Sequence, residues 1–112
     1  MHEWALTRRL LQLIEGEARA RRLTRVSRVR LRGALTPAEC DSVRFNFLAL
    51  ARGTIAHEAE LEIESHPVSA RCPACGGEAL MLDHHQPCPH CAMPTLAPVE
   101  GELLSIIEMT AL

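Results

Sequence analysis

Four of the five cysteines in this 112-residue chain fall into two C-x-x-C pairs, Cys72-Pro-Ala-Cys75 and Cys88-Pro-His-Cys91, with twelve residues between them. Thiolates at this spacing can grip one metal ion from two tight turns. Four of them around Zn²⁺ close a tetrahedral structural site with no open catalytic position. Gly76 and Gly77 follow the first pair and can supply backbone angles that other residues resist. Two competing chemistries are a pair of disulfides and a dithiol redox centre. Disulfides need an oxidising compartment, and the N-terminus, with Glu3, Arg8, Arg9 and no long apolar stretch, does not read as a secretory signal. A redox pair needs a strand-to-helix junction, which neither motif has. Structural zinc on Cys72, Cys75, Cys88 and Cys91 is therefore the expectation. His84, His85 and His90 read as exposed loop histidines, because four thiolates already satisfy the ion. Cys40 reads as a small core residue rather than a nucleophile.

A second set of donors stands at the start of the chain. A terminal amine, the adjacent backbone amides and the imidazole of His2 offer nitrogen ligands suited to square-planar Ni²⁺ or Cu²⁺. Met1 must be retained for that, and the bulk of His2 disfavours its removal. Taken alone, a histidine at position 2 is a weak signal.

The elements that must position these residues can be read from periodicity. Residues 2–21 form an expected helix with Leu6, Leu10, Leu13, Ile14 and Ala18 on one face. Residues 24–32 read as a strand, with Val29 and Leu31 on one side and Val26 grouped with Arg28, Arg30 and Arg32 on the other. Thr36, Pro37 and Glu39 announce a capped second helix that runs to about Ala51, with Cys40, Val43, Phe47 and Leu50 inward and Gly53 as its stop. Residues 59–65 alternate, Leu61 and Ile63 against Glu60, Glu62 and Glu64. Six of the seven prolines then fall between Pro67 and Pro98, which reads as a loop-built module too poor in apolar residues to fold without metal. An apolar strand follows over Glu102–Met109. The expected class is α+β: two helices packed on a small three-stranded sheet, with a zinc ribbon inserted before the C-terminal strand. The expected domains are 1–66 plus 99–112, and 67–98.

Charge and composition bound the rest. Residues 1–52 hold eleven arginines and five acids, for a net charge of +6, whereas residues 53–112 hold one arginine and nine acids, for −8. A basic half suggests nucleic acid. The arginines alternate with apolar residues, however, which favours a solvated strand face with glutamates beside it. A zinc-ribbon nucleic-acid-binding protein or adaptor stays as the alternative reading. No apolar run approaches membrane-spanning length. No nucleophile–base pair is evident, so the chain does not read as an enzyme. A cytoplasmic location is expected.

Together these features resemble the HypA/HybF family of nickel metallochaperones. The matching residues are Met1-His2-Glu3 opening a helix, Gly33 after the first strand, Phe45-Asn-Phe47, Gly53-Thr54 before Ala59-Glu-Leu61-Glu-Ile63, the paired C-x-x-C motifs, and Glu108 on the last strand. The resemblance covers essentially the whole chain. It implies Ni²⁺ bound as transient cargo through Met1, His2 and Glu3, and Zn²⁺ held by the four cysteines. It implies two partners, the hydrogenase large subunit and a GTPase nickel-insertion accessory protein, and service to urease in some relatives. Neither nucleic acid nor membrane is expected as partner, and the expected state is a monomer or weak homodimer. Three departures stand out. Trp4-Ala5 replaces the usual Leu-Ser, Ala92 stands where a glycine is common after the last cysteine, and Gly77 and Ala92 occupy places where some relatives carry histidines.

Overall fold

The computed structural model of the chain describes residues 2–82, 86–94, 96–99 and 104–111, with His2 described as backbone only. Its elements are α1 (His2–Ala20), β1 (Val26–Gly33), α2 (Pro37–Leu50), β2 (Glu60–Ser65), β3 (Val68–Arg71), β4 (Glu78–Met81), β5 (Ala97–Pro98) and β6 (Leu104–Ala111). They make two three-stranded sheets, ordered β2-β1-β6 and β4-β3-β5. Helices α1 and α2 cover the first sheet. The second is the cysteine-rich insert, so the expected α+β architecture holds.

Helix α1 buries Leu6, Leu10, Ile14 and Ala18, as the spacing predicts, but Leu13 is 41% exposed and Leu11 is buried in its place. The reason lies at Thr7, which is fully buried. Its hydroxyl donates to the Glu3 carbonyl at 2.6 Å, so a polar residue can sit in the core face with its hydrogen bond satisfied. Counting Thr7 as interior turns the buried face toward Leu11 and away from Leu13. Helix α2 begins as the sequence announces. Thr36 is the N-cap, and the reciprocal capping box with Glu39 is complete. Cys40, Val43 and Phe47 are buried, and burial pushes the Cys40 thiol up, as suits a core residue.

Strand β1 is the centre of the first sheet. It pairs in parallel with β2 after the α2 crossover and antiparallel with β6. Val26 is fully buried, contrary to its expected place on the arginine side. The register slips between Val26 and Arg28, where Ser27 is an extra residue, and that bulge turns Val26 inward. A second slip opposite Arg30 and Leu31 leaves Ile107 as the extra residue of β6 and partly exposed.

The open face of this sheet carries the anticipated charge pairing. Arg28 is hydrogen-bonded to Glu62, Arg30 reaches Glu62 at 3.4 Å and Glu108 at 3.7 Å, and Arg32 reaches Glu64 at 3.9 Å. Arg30 thus ties β2 to β6 across β1. All these groups are solvated, so water screens each pair and its contribution to stability is small.

The insert is more ordered than its prolines suggest. Val68, Ala70, Cys72, Met81, Cys88 and Leu96 form a small core of their own, closed by Ala34 from the chain just after β1. Beyond the loops expected there, the module contains strands β3, β4 and β5, too short to show periodicity.

Candidate metal centres

Each C-x-x-C pair folds into the same backbone turn. The Cys72 carbonyl accepts from Gly76 N–H at 2.7 Å while Cys72 N–H donates to the Gly77 carbonyl at 2.9 Å. At the second pair, the Cys88 carbonyl accepts from Ala92 N–H at 2.8 Å and Cys88 N–H donates to the Met93 carbonyl at 2.9 Å. The fifth residue of each turn is left-handed, Gly76 at φ +74° and Ala92 at φ +62°. Ala92 therefore occupies a conformation natural to glycine. Gly77, expected to share that role, has an ordinary φ and matters for a different reason, given below.

The two turns bring all four sulfurs within 4.8 Å of one another. Cys72 Sγ lies 3.7 Å from Cys91 Sγ, and Cys75 Sγ 3.8 Å from Cys88 Sγ. A regular tetrahedron of sulfurs around zinc at ~2.3 Å has edges of roughly 3.8 Å, so the donor set fits the ion. Backbone N–H groups of Gly77 and His90 point at Cys75 Sγ and Cys88 Sγ, both at 3.4 Å, and favour thiolates. Without metal, Cys91 and Cys75 resist ionisation. At Cys91 a backbone N–H from Met93 pulls the pKa down, but desolvation and the sulfurs of Cys72, Cys88 and Cys75 outweigh it and push the thiol up to about 12. Cys75 is raised as well: the Gly77 N–H favours its thiolate, and desolvation with Cys88 and Cys72 overrides that.

His90 is not a free loop side chain. It reaches from the second turn across to the first, where its Nε2 lies 2.9 Å from the Glu78 carbonyl. A carbonyl only accepts, so Nε2 carries the proton. The ring passes directly over Gly77. Gln86, one turn earlier, accepts from Leu82 N–H at 3.0 Å and donates to the Leu80 carbonyl at 3.1 Å. The outer edge of β4 is thus occupied by two side chains. Reading the sequence missed both roles; the Gly-Gly after the first pair was the one signal of a close approach. His84 and His85 lie outside the described residues.

At the other end, α1 begins at His2. Met1 and the side chain of His2 lie outside the described residues, whereas Glu3 is partly buried in the first helical turn. Backbone N–H groups in a first turn have no intrahelical acceptor and remain available to a ligand. Beside Glu3 an open cleft of about 420 Å³ separates the start of α1 from α2; its walls are Glu3, Trp4, Asp41, Ser42, Phe45 and Asn46. No spacing rule linked Trp4 to Phe45. Among the described residues, no helix is long and apolar enough to cross a membrane.

Comparison with known proteins bears on the whole chain. A family model described as hydrogenase/urease nickel incorporation, metallochaperone, HypA, matches residues 1–111. The hydrogenase maturation factor HypA of Moorella thermoacetica is 40% identical over 104 residues, covering 91% of each chain. That of Azotobacter chroococcum is 36% identical over 110 residues, covering 97% of each. The solution structure of the Ni metallochaperone HypA from Helicobacter pylori superposes with a TM-score of 0.62 at 16% identity, over 98% of this chain and 97% of that one. At that identity the superposition speaks to the fold.

Proposed function

The chain belongs to the HypA family of nickel metallochaperones, proteins of hydrogenase maturation rather than enzymes, and on that premise we propose how its residues divide the work. Met1, His2 and Glu3 carry Ni²⁺, the cargo. Cys72, Cys75, Cys88 and Cys91 hold Zn²⁺, which stays bound and fixes the ribbon. Residues 1–66 with 99–112 form the nickel-binding domain, and residues 67–98 the zinc ribbon. The chain works in the cytoplasm with a GTPase nickel-insertion accessory protein and passes nickel to the hydrogenase large subunit. Urease is a further client class, as the family description suggests.

The observation that carries the zinc assignment is the convergence of four sulfurs at the spacing of a zinc–thiolate tetrahedron. Nickel is assigned from the family and from donor chemistry. A terminal amine, unpaired first-turn amides and an imidazole make a nitrogen set that Ni²⁺ accepts. A site at the very end of the chain lets an acceptor replace these donors one at a time. Copper outranks nickel in intrinsic affinity, so partner docking and metal supply must do the selecting.

The experiment is metal analysis and Ni²⁺ titration of tag-free protein with its native N-terminus, beside the His2→Ala variant. About one zinc per chain and one nickel site that vanishes in His2→Ala are expected. Nickel binding undiminished in His2→Ala overturns the nickel assignment.

A further inference from the structure

The cleft beside Glu3 has an unusual lining for a surface feature. Phe45 is 76% exposed and Trp4 37% exposed, so two of the chain's three aromatic side chains stand in solvent on either side of it. Leu48, 63% exposed, extends the apolar surface by one turn of α2. Exposed large apolar groups gathered at a cleft mark a contact surface. The cleft also carries two carboxylates. Glu3 forms no ion pair among the described residues. Among the described residues Asp41 pairs only with Arg44, at 3.3 Å, with its own side chain 81% exposed. That arginine donates its Nη1 to Asp41 Oδ1 and its Nε to the Leu61 carbonyl at 3.2 Å, so it engages one of the two Asp41 oxygens. Arg8, one turn along α1, is not part of the lining.

Two aromatic side chains and two acidic residues at one cleft complement one kind of group, a planar cation. A guanidinium stacks on aromatic rings and takes carboxylates through its fork of N–H donors, which an ammonium does less well. We propose that this cleft seats an arginine side chain of the protein that receives nickel, with the guanidinium against Trp4 and Phe45 and bonded to Asp41 and to the Glu3 carboxylate oxygen that nickel does not take. An apolar neighbour of that arginine lies on Leu48. That the partner is the nickel acceptor rests on the proposed function, because Glu3 adjoins His2. The cation preference of the cleft stands on its own geometry.

Trp4 is the chain's single tryptophan, so its indole N–H gives one NMR resonance and reports from the cleft wall. Nickel-free, zinc-loaded full-length protein is titrated with the peptide acetyl-Gly-Arg-Leu-Gly-amide and with the same peptide carrying citrulline, its neutral near-isostere. The indole resonance is expected to move to saturation with the arginine peptide, about fivefold tighter than with citrulline. Asp41→Asn weakens the arginine peptide about threefold, and Phe45→Ala removes the difference between the two peptides. Equal responses to the two peptides, or an indole resonance that does not move, overturn the proposal. The wild-type comparison decides even if a variant misfolds. Ni²⁺ is titrated into the same wild-type sample. Nickel binding without an arginine response overturns the cleft alone, and an arginine response without nickel binding overturns the nickel assignment and leaves the cleft.

Discussion

The imidazole of His90 rests on Gly77 so closely that a Cβ at residue 77 would lie 2.7 Å from His90 Cδ2 and 3.3 Å from Cys75 Sγ. Glycine is therefore required here for space rather than for backbone angle. In Gly77→Ala the ring must swing off the Glu78 carbonyl, forfeiting a hydrogen bond that contributes about 1 kcal/mol. The zinc-loaded protein should melt correspondingly earlier, and a chromophoric chelator should extract zinc faster. In a His90→Ala background the same glycine change should cost close to nothing beyond the loss of His90 itself. A double-mutant cycle with no coupling would show that the two residues do not meet.

Ala92 carries the opposite opportunity. Its φ of +62° places a Cβ in the left-handed region, where an L-residue is strained by roughly 1–2 kcal/mol. Part of that gain is returned through the freer unfolded chain of a glycine variant. Ala92→Gly should still raise stability by about 1 kcal/mol, read as a higher thermal midpoint of the zinc-loaded protein. A lower midpoint would place the strain elsewhere.

Gly16 sits mid-helix in α1, and a Cβ there would meet nothing within 4 Å. Gly16→Ala should stabilise by about 1 kcal/mol through helix propensity alone. Denaturant unfolding checks this: the midpoint should rise with the slope unchanged.

Zinc binding should release protons in bulk. Cys75 and Cys91 are held above the ordinary thiol range in the metal-free cluster, so at neutral pH they are protonated until metal arrives. Calorimetry in buffers of different ionisation enthalpy should count about four protons per zinc. The metal-bound thiolates resist protonation, so the stabilisation that zinc supplies is present at neutral pH and above and is lost as acid competes for the sulfurs. A thermal midpoint of the zinc-loaded protein that stays flat down to pH 4 would contradict this.

Much of the fold of the β2-β1-β6 sheet and its two helices could be read from residues. Thr36-Pro37-Ala-Glu39 encodes its cap locally, and the glutamates of β2 answer the arginines of β1 because both strands alternate. What escaped was non-local. Val26 and Ile107 owe their places to register slips that only the pairing of β1 with β6 creates. Thr7 could be counted as interior only once its hydroxyl was known to bond backward. The sulfur cluster was legible, since spacing alone constrains two tight turns. The supports from His90 and Gln86 were not, because each reaches a backbone carbonyl, and carbonyls have no letter in a sequence.

The two sheets meet at the end of β1. Gly33 pairs with Ser65 on one side and Leu104 on the other, and its carbonyl accepts from His66 N–H at 2.8 Å. The insert therefore departs and returns on either side of a single strand end. With neighbouring strands roughly 4.8 Å apart, its two stumps are separated by about 10 Å, a gap that three or four residues can span. The ribbon is in this sense a removable cassette. A short bridge from Ser65 to Leu104 would preserve the order β2-β1-β6 and leave the methyl of Ala34 uncovered. In topological terms, the cysteine-rich insert interrupts no strand pair of the sheet that carries it.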